Sequence, residues 1–279
     1  MSIIGTAART ETTDSPSAQA AAISFRAISK VFVTPDADQF TAIHGIDLEV
    51  EAGSFVCIVG PSGCGKSTLL NMTAGLLQPS SGEVLYRGAP IKGANTDVGY
   101  MTQKDNLLPW RTVRKNVLLA LEISKTVPVR QRKERVDAVL ADVGLGRFAD
   151  RYPAELSGGM RKRVSLARSL VYSPRTLLMD EPFGALDAQL RLVLQEQLLE
   201  LWERERKTML FVTHDIEEAI LLADRVVVFG TNPGRIVHVE EITLERPRSL
   251  LELRQLPEFN QIWSRLWSLI GSHETKEEQ

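Results

Sequence analysis

Nine residues, Gly60-Pro-Ser-Gly-Cys-Gly-Lys-Ser-Thr68, lie between two segments of contrasting character. The segment before them, Ser54 to Val59, has the β-branched and aromatic composition of a short buried strand. The segment that begins at Lys66 and runs to Leu76 has apolar residues at helical spacing. A strand, a glycine-rich loop and a helix in this order predict a loop that binds phosphate groups.

The residue types of this loop suit an anionic ligand. Its glycines permit positive φ and let backbone N–H groups approach an anion, and the following helix adds partial positive charge at its N-terminus. We expect Lys66 to reach the outer phosphates and the Ser67 hydroxyl to bind Mg²⁺. The alternative is a glycine-rich turn that binds no ligand. The pattern Gly-x4-Gly-Lys-[Ser/Thr] should occur by chance in about 1 chain in 100 of this length. The candidate residues are Gly60, Pro61, Ser62, Gly63, Cys64, Gly65, Lys66, Ser67 and Thr68.

The composition of the whole chain bounds its class. Its 279 residues suffice for one or two domains, and its net charge of -2 gives no electrostatic reason to expect a nucleic-acid partner. Two cysteines, Cys57 and Cys64, are too few for a disulfide framework or a metal site and are expected to be unpaired thiols. We find neither an export signal nor a run of about 18 apolar residues, and therefore expect a chain that is neither exported nor membrane-spanning.

Composition and periodicity divide the chain into regions. Residues 1–22 are rich in Ala, Ser and Thr and are expected to form a disordered tail. Residues 23–50 show the alternation of antiparallel strands. Helical spacing with many Lys and Arg residues indicates a helical subdomain at about residues 104–172. Beyond it, strands alternate with helices, which predicts a largely parallel sheet.

Two helical faces receive contrasting interpretations. Residues 246–279 are predicted to be a helical extension whose apolar stripe docks onto the chain's own domain rather than onto a partner or membrane. That stripe comprises Phe259, Ile262, Trp263, Leu266, Leu269 and Ile270. Ser157 is predicted to cap a helix running to about Tyr172. The basic residues of that helix, Arg161, Lys162, Arg163 and Arg168, are interpreted as a solvated face.

A second apolar segment ends in two carboxylates. Thr176 to Asp180 reads as a buried strand, Glu181 follows it, and Pro182 breaks it. Acids at the carboxyl end of such a strand lie where open α/β sheets bind ligands. We expect Asp180 to hold Mg²⁺, directly or through water, and Glu181 to act as general base. The alternative for Glu181 is an acid at the start of a helix.

Three further residues are ambiguous on local grounds. Gln103 ends one predicted strand and could complete the metal shell or sense the γ-phosphate, and His214 ends another and could contact the γ-phosphate. Each taken alone is more typical of an ordinary surface residue. Phe32 is either a packing residue or a platform for a nucleobase, and local composition favours packing.

These motifs, in this order and spacing, resemble the nucleotide-binding subunit of ATP-binding cassette (ABC) transporters over about residues 23–245. Gly60–Ser67 is similar to the family's Walker A loop and Thr176–Asp180 to its Walker B strand. Leu156-Ser-Gly-Gly159 resembles the family signature, and Gly184-Ala-Leu-Asp187 resembles its D-loop. The resemblance implies an α/β fold of the P-loop NTPase class, with a mostly parallel core sheet, an antiparallel β subdomain and an inserted helical subdomain.

The resemblance also implies roles that local chemistry leaves open. Glu181 is implied to be the catalytic base, and Gln103 the Q-loop glutamine at the metal and the γ-phosphate. His214 is implied to be the switch histidine, and Phe32 the aromatic residue that stacks on adenine. Asp187 of the D-loop joins the nucleotide-binding set. The implied cofactors are ATP and Mg²⁺.

The mechanism of this family implies two copies of the chain. Ser157, Gly158 and Gly159 are implied to close over ATP on the opposite subunit's Walker A loop, so that a homodimer encloses two ATP molecules. Met160 stands where the family usually has Gln, and we expect activity to survive because the serine hydroxyl and glycine N–H groups make the main contacts. The other implied partners are transmembrane permease subunits and, indirectly, a periplasmic or surface solute-binding protein. The implied location is peripheral, on the cytoplasmic face of the plasma membrane.

Three segments resemble those of bacterial importers of the nitrate, sulfonate and taurine group: Asp105–Trp110, Asn116-Val117 and Asn232–Ile236. Leu107–Trp110 is implied to lie near the groove that receives the permease, with local packing as the alternative. The implied function is the ATPase subunit of an importer of a small anionic or related solute.

Two other functions are alternatives: a soluble ABC ATPase of DNA repair or translation, and a small-molecule kinase. ABC ATPases of DNA repair usually separate the Walker motifs by a very long coiled coil, whereas Lys66 and Asp180 are 114 positions apart. Translation members of the family usually carry two cassettes, and this chain has one. A small-molecule kinase would use the phosphate loop but would need neither the signature nor His214.

Overall fold

The computed structural model of the chain describes residues 21–33, 38–184 and 186–274, with side chains through residue 271. Most of the predicted N-terminal tail, residues 1–20, lies outside these ranges. Ala21 and Ala22 belong to the first strand, so the folded domain begins two residues earlier than predicted. Ala21 pairs with Glu51 of the neighbouring strand and Ala22 is buried, which explains why the strand includes them.

The described residues alternate between strands and helices along most of the chain. The strands are β1 (Ala21–Val33), β2 (Gln39–Glu51), β3 (Phe55–Val59), β4 (Ser81–Tyr86), β5 (Ala89–Pro90), β6 (Val98–Met101), β7 (Thr176–Asp180), β8 (Thr208–Val212), β9 (Arg225–Gly230) and β10 (Arg235–Glu241). The helices are α1 (Lys66–Thr73), α2 (Val113–Ser124), α3 (Val129–Asp142), α4 (Gly158–Leu170), α5 (Ala188–Glu205), α6 (Ile216–Leu222), α7 (Leu250–Leu253) and α8 (Pro257–Glu274).

Two sheets form the body of the protein. The first is antiparallel, with strand order β2-β1-β4-β5. The second has the order β10-β9-β3-β8-β7-β6, in which every neighbouring pair is parallel except β10 and β9. The predicted α/β fold with a mostly parallel core sheet and an antiparallel β subdomain is therefore confirmed. Strand β10 was not predicted, and it forms an antiparallel edge strand of the core sheet next to β9.

The core sheet is buried on both faces. Every residue of β3, β7 and β8 is buried, which agrees with their unbroken apolar sequences. Alternate residues of β3 face different cores: Phe55, Cys57 and Val59 pack towards the helical side, and Val56 and Ile58 pack towards the antiparallel sheet. Because the strands are parallel, their carboxyl ends meet at one edge, where α/β sheets bind ligands.

Helices α2, α3 and α4 form the predicted helical subdomain, inserted between β6 and β7. Its core contains the fully buried side chains of Val117, Leu121, Val136, Leu140 and Val164. Side chains cap two of its helices, since Thr112 accepts from the Lys115 amide and Ser157 from the Met160 amide. The sequence pattern predicts helices at Thr112–Ser124 and Val129–Val143, and the observed α2 and α3 agree with these bounds to within one residue.

The C-terminal helices pack onto the core sheet. Phe259, Ile262 and Leu266 of α8 are buried in the same apolar core as β9 and α6, so the predicted docking of this stripe is confirmed. Arg248 fixes the segment before α8, because its buried guanidinium donates to the backbone carbonyls of Ala223 and Leu244. Across the described residues, none of the helices combines the length and the apolar character needed to span a bilayer.

Candidate functional site

The predicted phosphate loop connects β3 to α1, and glycine is sterically required at two of its positions. A Cβ atom at Gly60 would lie 2.5 Å from the carbonyl oxygen of Phe229, and one at Gly65 would lie 2.3 Å from Cγ2 of Ile43. Both glycines have positive φ, at 154° and 95°. The loop is therefore wedged between β9 and β2, and only a residue without a side chain fits there.

Lys66 places its positive charge within the loop. The residue is 6% exposed, and Nζ donates to the carbonyl oxygens of Gly60 at 2.7 Å and Pro61 at 2.6 Å. Nζ also lies 3.6 Å from Sγ of Cys64, a buried thiol whose pKa is raised by burial. Glycine N–H groups, a helix N-terminus and this ammonium are the groups expected to bind phosphate, and that role stays a prediction.

Ser67 and Asp180 form an oxygen-rich pair beside the loop. The Ser67 hydroxyl donates to Oδ1 of Asp180 at 3.0 Å. Asp180 ends β7 and is buried, and burial raises the pKa of its carboxyl group. Mg²⁺ binds hard oxygen ligands and typically takes one or two carboxylates together with substrate phosphates. A hydroxyl and a carboxylate that already meet next to a phosphate loop fit that ion.

Three predicted residues converge on one carboxylate. Glu181 follows β7 with φ of 46°, and its amide donates to the carbonyl oxygen of Val212. Oε2 of Glu181 accepts from Nε2 of Gln103 at 3.0 Å, and Oε1 lies 3.5 Å from Nδ1 of His214. The three residues come just after the neighbouring strands β6, β7 and β8, so the sheet order brings them together.

This arrangement suits activation of water beside a bound phosphate. The Glu181 carboxylate is oriented by an amide and an imidazole, and the preceding residue is the metal-binding candidate Asp180. Such a group can orient a water molecule or accept its proton, while the loop and the metal meet the charge on the γ-phosphate.

Phe32 lies on β1 of the antiparallel sheet. Its ring is 40% exposed, and the Lys30 ammonium lies 5.2 Å from the ring centroid. Lys30 pairs across the strands with Ile43, which is the residue that abuts Gly65. An exposed ring at this place is available for stacking on a base, and its role in adenine binding stays a prediction.

The signature residues are at the N-terminus of α4. Ser157 and Gly158 are exposed, and a Cβ atom at Gly159 would lie 2.7 Å from the Leu190 side chain. The described residues contain no hydrogen bond that joins Ser157–Gly159 to Gly60–Thr68.

The D-loop lies against the signature. Leu186 is 3.2 Å from the position of a Cβ atom at Gly159. Asp187 is exposed and caps α5, because Oδ1 accepts from the Leu190 amide at 2.9 Å. Ala185 lies outside the described residues, and the nucleotide-binding role of Asp187 stays a prediction.

The prediction of a solvated basic face on α4 is wrong. Its four members, Arg161, Lys162, Arg163 and Arg168, all contact the protein. Lys162 donates to the carbonyl oxygen of Gln103, and Arg168 donates to those of Asp105 and Asn106. The reason is that the loop after β6 turns backbone carbonyls towards α4, and carbonyl direction is not visible in a helical pattern.

The other two basic residues also have fixed partners. Arg161 donates to Oδ2 of Asp105 at 3.0 Å and to the carbonyl oxygen of Leu156 at 2.8 Å. Arg163 points elsewhere and donates to the carbonyl oxygen of Val143 at 3.1 Å. Three of the four basic residues thus attach the loop that carries Gln103 to the helix that carries the signature.

Gly234 lies against the phosphate loop. The sequence did not predict this role. Gly234 bridges to β2, since its amide donates to Ala42 at 3.0 Å and its carbonyl accepts from His44 at 2.9 Å. A Cβ atom at Gly234 would lie 2.0 Å from the carbonyl oxygen of Cys64. A Pro-Gly pair after a strand normally indicates only a turn, so the long-range contact was not predictable.

Comparison with known proteins places this geometry in a family. The family described as ABC transporter matches residues 43–184, just over half of the chain. An ABC transporter ATP-binding protein of Methanocaldococcus jannaschii is 48% identical over 221 residues, covering 79% of this chain and 82% of that protein.

Two ATP-binding proteins named for anion transport are also similar. The bicarbonate transport ATP-binding protein CmpC of Synechocystis is 45% identical over 241 residues, 86% of this chain. The nitrate import ATP-binding protein NrtC of Synechococcus elongatus is 43% identical over 236 residues, 83% of this chain. The match spans only 36% of either of these two proteins.

A solved structure agrees with the fold. It is the dimeric post-hydrolysis state of an ATP-binding cassette bound to ADP and Pi, with a TM-score of 0.73 and 30% identity. The match covers 80% of this chain and 100% of that cassette. The family match, the relatives and the convergence of Gln103 and His214 on Glu181 lead to one conclusion: the chain belongs to the ABC transporter family and is an ATPase.

Proposed function

We propose that this chain is the ATP-hydrolysing subunit of an importer of a small anionic or related solute, of the nitrate, sulfonate or taurine kind. The observation that carries the hydrolytic part is the contact of Gln103 and His214 with Glu181, beside the Ser67–Asp180 pair. Transport of the solute itself would occur through separate membrane subunits.

Hydrolysis follows from the positions of these groups. Glu181 orients the attacking water and accepts its proton as the water oxygen bonds to the γ-phosphorus and ADP leaves. Lys66 and His214 stabilise charge on the γ-phosphate. Ser67 and Asp180 would hold Mg²⁺, with Gln103 as a third candidate ligand, and the bound ion would neutralise charge on the phosphate oxygens.

A homodimer would complete the nucleotide site. Ser157, Gly158 and Gly159 are exposed or half-buried at the start of α4, and no hydrogen bond among the described residues joins them to the phosphate loop of their own chain. Their placement supports closure over ATP on a second copy, so that two ATP molecules lie between two subunits. The similar cassette is dimeric, which supports the same arrangement.

The loop after Gln103 offers a surface for the permease subunits. Trp110 is 71% exposed, whereas Leu107 packs against the core. Asn116 holds the loop rigidly, because its fully buried side chain accepts from the Leu108 amide and donates to the Leu108 and Arg111 carbonyls. A large exposed aromatic residue on a braced loop favours a protein contact.

The solute class and the location complete the proposal. Nitrate and bicarbonate, named for two relatives, are both small anions. Import of such a solute would use a periplasmic or surface solute-binding protein, and the chain would lie at the cytoplasmic face of the plasma membrane. No nucleic acid is needed for this activity.

The decisive experiment is co-purification of the tagged chain from detergent-solubilised membranes, followed by reconstitution in vesicles. We expect a permease to co-purify, and we expect the added binding protein with its solute to stimulate hydrolysis. Stimulation by nucleic acid or ribosomes instead, with no permease retained, would contradict the importer and favour a soluble ABC ATPase. A Trp110→Ala variant should lose the permease and keep basal hydrolysis.

A further inference from the structure

Lys162 lies one turn into α4 in an unusual setting for a lysine. The residue is 8% exposed, and burial lowers the pKa of its ammonium group. Nζ donates a hydrogen bond to the backbone carbonyl of Gln103. The carboxylates of Asp105, Asp180 and Glu181 favour the charged form. A buried cation with these partners is held in place, because moving it away would leave its charge unpaired.

Gln103 is held at both ends. Lys162 fixes its backbone carbonyl, and its side-chain amide donates to Oε2 of Glu181 at 3.0 Å. The other carboxylate oxygen of Glu181 lies 3.5 Å from His214. A continuous series of polar contacts therefore runs from α4 through one residue to the proposed catalytic base.

The other end of this series is the signature. Ser157 caps α4, and Lys162 follows five residues later, roughly 7 Å along the helix axis. A hydrogen-bonded helix is a rigid element that transmits displacement along its length. Movement of the signature would therefore move the Lys162 ammonium.

We propose that Lys162 is a positioning residue that couples the two ATP sites of the homodimer. When Ser157–Gly159 closes over ATP on the partner subunit, α4 carries Lys162 and Gln103 with it. Glu181 of the same chain is then aligned in response to nucleotide at the opposite site. This coupling rests on the proposed homodimer, and by linkage it acts equally in both directions on binding.

The neighbouring basic residues make the coupling testable. Arg161 and Arg168 attach Asp105 and Asn106 to α4, so the loop stays folded onto the helix when Lys162 is replaced. What that replacement removes is the hold of α4 on the Gln103 carbonyl. Arg163 lies on the same helix but donates to Val143, away from Gln103. A change at Arg163 therefore perturbs α4 without touching the proposed connection.

The test measures steady-state hydrolysis by the full-length homodimer as a function of ATP concentration, in wild type, Lys162→Met, Lys162→Arg and Arg163→Met. Binding of a fluorescent ATP analogue to dilute monomer is measured in parallel. Wild type should show a Hill coefficient between one and two. Lys162→Met should lower kcat about tenfold or more and bring the Hill coefficient to one, with monomer affinity unchanged.

The two other variants separate positioning from folding. Lys162→Arg keeps a charged donor and should restore part of kcat and cooperativity. Arg163→Met should lower the melting temperature and leave the Hill coefficient at its wild-type value. If Lys162→Met does not fold, Lys162→Gln, which keeps a neutral donor, should show reduced cooperativity.

Several results would overturn the coupling. They are a non-cooperative wild-type curve, wild-type kcat and Hill coefficient in Lys162→Met, or equal loss of cooperativity in Arg163→Met. Failure of the homodimeric ATPase on which the coupling rests looks different, since wild type would then neither hydrolyse ATP nor dimerise with it. The two failures are thus distinguishable in one set of measurements.

Discussion

The side-chain amide of Gln103 lies 3.0 Å from the carboxylate of Glu181, although the two residues are 78 positions apart. The contact exists because β6 and β7 are parallel neighbours, so the residues after them emerge at the same edge of the sheet. It joins the loop leading into the helical subdomain to the residue proposed to activate water.

The Glu181→Gln variant tests that role. We expect ATP binding to be retained and turnover to fall about 10²–10⁴-fold, because the amide cannot accept a proton. Size-exclusion chromatography with ATP should show a trapped dimer. Wild-type hydrolysis rates in this variant would refute the assignment of Glu181 as the base.

The Lys66→Ala variant tests the phosphate loop. Loss of the buried ammonium removes the charge expected to meet the outer phosphates, so ATP affinity should fall at least about tenfold. Isothermal titration with ATP gives the affinity directly. Unchanged nucleotide binding would count against the loop as a phosphate site.

The Ser157→Arg variant tests the shared site. A long cation at the exposed start of α4 would prevent closure over a second subunit's ATP, so hydrolysis should fall while the monomer still binds ATP. Hydrolysis is compared with nucleotide binding at a dilution that keeps the protein monomeric. An unaffected rate would mean that each chain works alone.

A matched pair of glycines tests the support behind the phosphate loop. Gly234→Ala should destabilise the protein by about 1–3 kcal/mol and weaken ATP binding, since the added Cβ would overlap the Cys64 carbonyl. Gly93→Ala, where a Cβ meets open space, should stay within about 0.5 kcal/mol of wild type. Urea unfolding of both variants measures the difference, and equal effects would contradict the contact.

An acid-dependent interaction joins β10 to α8. Arg265, and to a lesser degree His238, hold the pKa of Glu240 below its usual value. A carboxylate with a lowered folded-state pKa stabilises the protein above its unfolded pKa, and this stabilisation is lost as pH falls through the folded value.

The Glu240→Gln variant should therefore be less stable than wild type at neutral pH. The loss should be only about 1 kcal/mol, because solvent around the exposed Arg265 screens the ion pair. The difference from wild type should shrink as the pH falls below the usual glutamate range. Urea unfolding over a pH series measures it. A difference independent of pH would exclude the ionised pair as its cause.

The sequence predicted much of this fold because local patterns were strong. The sequence predicts strands at Val98–Met101, Thr208–Val212 and Arg225–Gly230, and β6, β8 and β9 have these bounds. Each is a short apolar run between clear breaks. The phosphate loop and the acid pair Asp180-Glu181 were identifiable for the same reason: each places chemistry directly at the end of a strand. Gln103 and His214 needed the resemblance to a family, because one polar residue after a strand is locally uninformative.

Long-range contacts were not predictable from periodicity. Lys162 and Arg168 have helical spacing like that of solvated residues, and only the direction of the Gln103 and Asp105 carbonyls shows that they are bound. Gly234 is similar, because its partner Cys64 is distant in sequence. Such contacts depend on tertiary geometry that a single helix or turn does not encode.

The proposed catalytic residues lie outside the buried strands of the core sheet, and this matters where inactive and normal copies of the chain are present together. Gln103, Glu181 and His214 follow their strands rather than lying within them, so replacing Glu181 leaves the buried strand residues in place. A catalytically inactive copy should therefore fold and still pair with normal copies. Expressed alongside the normal chain, it would form mixed dimers and have a dominant-negative effect. ATP hydrolysis would fall although the amount of normal protein is unchanged.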